Sequence, residues 1–121
     1  MNQLTKFLMT AVCLMNLTSC ASLSLKRAPI ADPLQTKREA LAAHNLVRSR
    51  HGAANLVWDK TLASYAENYA SQCRFKHSHT PYGENLAEGF SSVTHAVNSW
   101  AAESAYYSYQ RPGFSHRTGH F

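Results

Sequence analysis

Lys76-His77-Ser78-His79-Thr80-Pro81-Tyr82-Gly83-Glu84-Asn85-Leu86-Ala87 is the stretch from which the rest of this chain is read. It sets an imidazole, His77, and a carboxylate, Glu84, on either side of a turn. Pro81 stiffens the approach and Gly83 lets the backbone turn close beside Glu84. A second such pair lies downstream. Glu103 comes three residues after Trp100 in a helical stretch, so the two can share a helix face. His120 comes after Thr118-Gly119, a turn-like step that can swing its ring back toward the same cleft. Imidazoles and carboxylates make a borderline-hard ligand set, suited to zinc or another divalent cation. His77, Glu84, Glu103 and His120 are therefore candidate metal ligands. The chain has seven histidines, and the bland alternative is a set of surface or hydrogen-bonded structural imidazoles.

Working outward, three helices are legible. Asp32 and Pro33 give an N-cap and a first-turn proline, and Gly52 gives a stop, so the first helix runs over about 33 to 51. Leu34, Leu41, Asn45 and Arg48 recur along it at roughly helical spacing. Asn55-Leu56-Val57-Trp58 reads as a short extended link with two core anchors. Asp59 caps a second helix whose stripe of Leu62, Ala63, Ala66, Tyr69, Ala70 and Cys73 is expected to be core. Residues 74 to 91 form a loop rich in turn formers. Ser91 or Ser92 caps a third helix with Val93, Ala96, Val97, Trp100 and Ala101 apolar. The segment from Ser108 to Phe121 is irregular, with Arg111-Pro112-Gly113 as its breaker. Patterning alone suggests an all-α bundle.

The chain has room for one domain. Residues 1–21 read as a signal peptide: Lys6, an apolar run from Phe7 to Leu17, and the small-x-small step Ser19-Cys20-Ala21. The run is too short and interrupted for a confident membrane span, so no stable membrane insertion is expected. Residues 22–32 then form a propeptide or linker holding the dibasic pair Lys26-Arg27, a processing site of the kexin type. Leu17-Thr18-Ser19-Cys20 is the competing reading, a bacterial lipobox that would lipidate Cys20. Twelve Lys and Arg stand against seven Asp and Glu. Removing Lys6, Lys26 and Arg27 leaves nine against seven, a net of +2. No basic stripe points to nucleic acid. A mature chain would keep only Cys73, which implies a missing partner or a reactive thiol. The sole glycosylation sequon, Asn16-Leu17-Thr18, lies within the signal.

Several motifs run in one order: Ala43-His44-Asn45-x-x-Arg48-x-x-His51-Gly52, Leu56-x-Trp58, Ala63-x-x-Ala66-x-x-Tyr69-Ala70-x-x-Cys73, His77-Ser78, Tyr82-Gly83-Glu84-Asn85-Leu86-Ala87, Trp100-x-x-Glu103, Pro112-Gly113-Phe114-Ser115 and Thr118-Gly119-His120-Phe121. From about residue 37 onward this resembles the CAP superfamily of cysteine-rich secretory proteins, antigen 5 and plant pathogenesis-related class-one proteins, and looks most like its secreted fungal members. The resemblance places the family's cleft tetrad on His77, Glu84, Glu103 and His120. It assigns residues 33–121 to an SCP domain of α+β class, an α-β-α sandwich. The family continues past the Gly-His-Phe step into further strands and cysteines, so the resemblance implies a C-terminally truncated chain with most of the central sheet missing. It also favours a disulfide partner for Cys73 downstream.

Tyr106, Tyr107, Tyr109 and Phe114 crowd the segment before His120. Tyr107, Tyr109 and Phe114 fit the aromatic-x-aromatic-x4-aromatic caveolin-binding pattern that some fungal family members use for sterols. Flat aromatic faces suit a rigid apolar ring system, and tyrosine hydroxyls can meet its single hydroxyl. The alternative is ordinary core packing. Three functions compete. An extracellular module that binds a small apolar ligand such as a sterol is favoured. A metal-dependent hydrolase, a protease above all, is the enzymatic alternative. It lacks a His-Glu-x-x-His helix and an evident nucleophile, so no catalytic residue is named. The third is a secreted effector that contacts a host protein.

Overall fold

The computed structural model describes residues 32–121. The signal, the dibasic pair, the lipobox, the sequon, Cys13 and Cys20 all lie outside the described residues. Three helices carry the fold: α1 at Pro33–Arg50, α2 at Lys60–Ala70 and α3 at Val93–Ala102, which runs on into a 3-10 turn at Glu103–Tyr106. Each start is fixed by a side chain that accepts from orphan amides of the first turn. Asp32 accepts from the Leu34 amide at 3.0 Å. Asp59 accepts from Thr61 and Leu62 at 2.8 and 3.0 Å. Of the two candidate serines it is Ser92 that caps α3, accepting from the His95 amide at 3.0 Å. Gly52 closes α1 in the left-handed region at φ +66°, where a residue without Cβ is unstrained.

The core forms where α1 lies on α3. Ala40 and Ala43 meet Val93, Ala96, Val97 and Trp100, with Ala87 beside them and Val47, Trp58 and Phe90 packed at the edge. The inward face of α1 is thus Ala40, Ala43 and Val47, a spacing of three and four. The expected recurrence at Leu34 is corrected, since that side chain is 60% exposed. Alanines are weak signals in a hydrophobicity pattern, yet their small volume is what lets two helix backbones approach. The link after α1 is held by Asn45, whose amide donates to the Leu56 carbonyl at 3.1 Å and whose oxygen accepts from the Leu56 amide at 2.7 Å. Trp58 turns inward from this link while Val57, between the two anchors, faces solvent.

Helix α2 behaves differently. None of its residues is buried, so its expected role as core is corrected. Among the described residues the helix-to-helix packing joins α1 with α3, and α2 takes no part in it. A period of three and four shows that an apolar face exists, and says nothing of what covers it. α2 is tied instead to the loop after it: the Tyr69 hydroxyl donates to the Lys76 carbonyl at 2.8 Å, one residue before His77. Between them Cys73 sits at φ +53° and is disulfide-bonded.

The described residues are helix-rich and form no strand; Glu88 alone takes an isolated bridge position. That is compatible with a fragment of an α-β-α fold. No described helix is long and apolar enough to cross a membrane.

Candidate functional site

The four candidate ligands form two imidazole–carboxylate pairs. His77 Nδ1 donates to Glu84 Oε1 at 2.8 Å across the 77–84 turn. The same oxygen accepts from the Ser78 amide at 2.9 Å, and Oε2 accepts from the Ser78 hydroxyl at 2.6 Å. His120 Nδ1 donates to Glu103 Oε1 at 2.7 Å, and the His120 amide donates to Oε2 at 2.9 Å. Each carboxylate therefore fixes one ring through Nδ1 and leaves Nε2 as the free nitrogen. Both carboxyls are held below the usual carboxylate range. Burial pushes Glu84 up, but the Ser78 hydroxyl and amide and the His77 ring and charge outweigh it. Burial also pushes Glu103 up, against the His120 ring, its amide and charge, and the Phe121 amide.

Asn85 joins the two pairs. It comes directly after Glu84, is buried, and donates from its side-chain amide to the His120 carbonyl at 2.8 Å. The turn at Ser115–Thr118 brings His120 there: the Thr118 amide donates to the Ser115 carbonyl at 3.1 Å, and the two hydroxyls are bonded at 2.7 Å. A Cβ at Gly119 would stand 3.0 Å from the Phe114 ring and 3.4 Å from the Ser115 carbonyl. The His120 ring then lies nearly parallel to Trp100, 6.1 Å between centroids at 14°.

A carboxylate-oriented imidazole is the usual arrangement of a metal-ligating histidine, so the chemistry of each pair fits a divalent cation. The convergence does not: among the described residues no three His, Cys, Asp or Glu side chains gather around one point.

Behind the second pair, α1 and α3 line an open cavity of about 300 Å³. Val47, Leu56, Val97, Trp100, Ala101 and Phe121 supply its apolar walls, with His44, His51, Asn85 and His120 among the polar groups lining it. Burial pushes His44 below the usual imidazole range, and the charge of Arg48 adds to this against the Ala40 hydrogen bond. Its Nδ1 donates to the Ala40 carbonyl at 2.7 Å, which fixes the ring.

The three aromatic candidates are placed apart. Tyr107 is half-buried, its ring edge-on to Phe121 at 5.4 Å and to Tyr109 at 5.1 Å. Tyr109 reaches His51 at the cavity wall. Phe114 is 78% exposed, with His116 edge-on at 5.5 Å. Sequence reading gives no role to Ser78, Asn85, His44 or His51. The first two adjoin tetrad members, and the last two lie seven apart on one face of α1, which is the signal that could have found them.

A family model described as the cysteine-rich secretory protein family, CAP, matches residues 41–121. Among curated proteins, pathogenesis-related protein 1A of Nicotiana tabacum is 46% identical over 79 residues, which cover 60% of this chain and 47% of that protein. Pathogenesis-related protein 1 of Arabidopsis thaliana is 42% identical over 92 residues, 71% of this chain and 57% of that one. Protein PRY2 of Saccharomyces cerevisiae is 46% identical over 83 residues, 64% of this chain and 25% of its own length. The chain spans about half the length of these plant relatives and a quarter of the yeast one. No solved structure matches.

Proposed function

Because the chain belongs to the cysteine-rich secretory protein family, CAP, we propose that it is a secreted, non-catalytic module that binds sterols or related apolar ligands. The observation that carries this is the cavity between α1 and α3, whose volume of about 300 Å³ lies at the small end of ligand pockets. Its apolar walls favour an apolar body, and its imidazole and amide groups and the Arg48 guanidinium can meet one polar end. Tyr107 and Tyr109 stand at its rim and Phe114 outside it, as outer contacts. The fungal variant of the family is part of this reading, supported by the aromatic pattern. So is the α-β-α sandwich, with the α1–α3 pair as one helical layer and the uncovered face of α2 as the other.

The test is competition with labelled cholesterol. Ala101→Phe, which fills the cavity from α3, should abolish binding, whereas His77→Ala should bind nearly as the parent does. Phe114→Ala should weaken binding at least tenfold, a loss of about 1.4 kcal/mol. Normal binding by Ala101→Phe would put the ligand elsewhere.

A divalent cation, zinc first, is the cofactor proposed for His77 and His120, with Glu84 and Glu103 orienting their rings, and its binding would require the two pairs to close on one ion. Bound there it would supply a fixed positive charge. The chain's own carboxylates hold the two imidazoles by Nδ1 and leave Nε2 for the ligand bond. Isothermal titration with zinc checks this, and a His77→Ala, His120→Ala double variant with undiminished affinity would remove the assignment. Affinity should fall on acidification, since a ligating imidazole must be neutral.

A further inference from the structure

The chain has six tyrosines, and their surroundings differ chemically. Tyr107 and Tyr109 meet edge to face, with ring centroids 5.1 Å apart at 79°. Tyr107 is half-buried, while Tyr109 is 61% exposed. The Tyr109 hydroxyl lies 3.0 Å from His51 Nδ1, across 58 residues of sequence. Phenol is the stronger donor and imidazole the stronger acceptor, so the hydroxyl donates and His51 carries its own proton on Nε2. His51 is held in place for this contact. Its amide donates to the Arg48 carbonyl at 3.1 Å at the end of α1, and Phe121 stands edge-on to its ring at 5.0 Å.

Two other arrangements each lack a part. Tyr65 and Tyr69 lie parallel at 6.5 Å, but the Tyr69 hydroxyl donates to the Lys76 carbonyl, which is no base. Tyr106 is open to solvent, yet the Arg117 guanidinium sits 4.2 Å over its ring. A cation there makes removal of an electron harder.

We propose that Tyr107 and Tyr109 are an oxidative cross-linking site, in which His51 takes the phenolic proton of Tyr109 and the two rings join as a dityrosine. A neutral phenol yields an electron readily only when its proton leaves too, and a base already in hydrogen-bond contact receives that proton in the same step. The oxidant is a one-electron acceptor of the kind a haem peroxidase makes from hydrogen peroxide. It removes one electron from the exposed Tyr109, whose proton passes to His51 Nδ1 while the Nε2 proton leaves to water. A second equivalent removes one electron from Tyr107, whose proton goes to solvent. The two phenoxyl radicals pair to form one bond between ortho carbons. Each ring then regains aromaticity as its ortho hydrogen moves to the phenolic oxygen. One peroxide is reduced to two waters per link, taking up both electrons and both protons. Because the rings are already in contact, pairing within the segment outruns collision with a second molecule.

Two measurements on the full chain test this. In the first, the protein is treated with a haem peroxidase and limiting hydrogen peroxide, and the product is mapped by tandem mass spectrometry. A monomer lighter by two hydrogens, linked between residues 107 and 109, is expected. Tyr107→Phe and Tyr109→Phe should each abolish it, whereas Tyr65→Phe and Tyr106→Phe should leave it. No link, a link between Tyr65 and Tyr69, or links between molecules only, would overturn the site. In the second, flash-generated ruthenium(III) tris-bipyridine is the oxidant, and dityrosine fluorescence follows the rate of linking. His51→Ala should slow it about tenfold or more, and imidazole added to the buffer should restore it. That restoration separates a proton acceptor from a residue that only shapes the segment. An unchanged rate, or a slowed one that imidazole does not restore, would overturn the role of His51.

Discussion

Helices α1 and α2 are both capped by an aspartate and both carry an apolar face, but only α1 has found a surface to bury it on. α1 presses Ala40 and Ala43 onto α3, while α2 buries no residue and meets the site loop through the Tyr69 hydroxyl and through Leu62, Tyr65 and Ala66, which face Thr80–Glu84. Local signals make a helix in either place. What separates the two is the partner, and with it the energy stored in each. Substitutions should therefore cost very different amounts in the two halves.

The largest contrast is expected between Trp100→Ala and Leu62→Ala. Trp100 fills the α1–α3 interface and stacks on His120, so its removal should cost about 3–5 kcal/mol. Leu62 is half-exposed on α2 and should cost about 1 kcal/mol or less. Urea denaturation with circular dichroism as the readout measures both, and equal losses would mean that α2 is covered after all.

Acidification should come next, in two stages. The folded pKa of His44 is lowered, so the unfolded chain binds more protons once pH drops below about 6.5, and stability falls from there. Glu84 and Glu103 are also lowered in the folded state. Their contribution is present above the ordinary carboxylate value of about 4.3 and disappears as pH falls through their folded values. Urea midpoints between pH 8 and pH 3 should show both steps, and Glu103→Gln should flatten only the lower one. A stability that rises on acidification would contradict all three shifts.

The smallest effect separates the caps. Ser92→Ala should lower global stability by about 1 kcal/mol, because α3 is the centre of the core. Asp59→Ala removes an equivalent cap from α2, but should appear as faster amide exchange in its first turn with little change in global stability. If both report globally, the two halves unfold as one unit.

The helices were legible because caps, prolines and periods are properties of neighbouring residues. Asp32, Asp59 and Ser92 announce starts that any tertiary context would respect. The buried face of α1 was not, since alanines that matter by being small leave no hydrophobic peak, and Leu34 drew the eye instead. The four candidate ligands could be named from the sequence and its family resemblance. Which imidazole meets which carboxylate, and that Asn85 bridges the pairs, depends on a turn at Ser115–Thr118 that returns the chain to α3. The cavity was invisible for the same reason: its walls come from segments as far apart as His44 and Phe121, and no periodicity spans them.

Asn85 also sets an order of assembly. His77 and Glu84 are seven residues apart, so their pair closes a small loop at little entropic cost, whereas the Asn85–His120 bond spans 35 residues and must wait for a larger closure. The 77–84 turn can be complete while the tail is still searching. Folding would then run from the loop outward, with the final segment docking onto a buried amide that is already in place, and a variant such as Asn85→Ala should slow that last kinetic phase while leaving the first untouched.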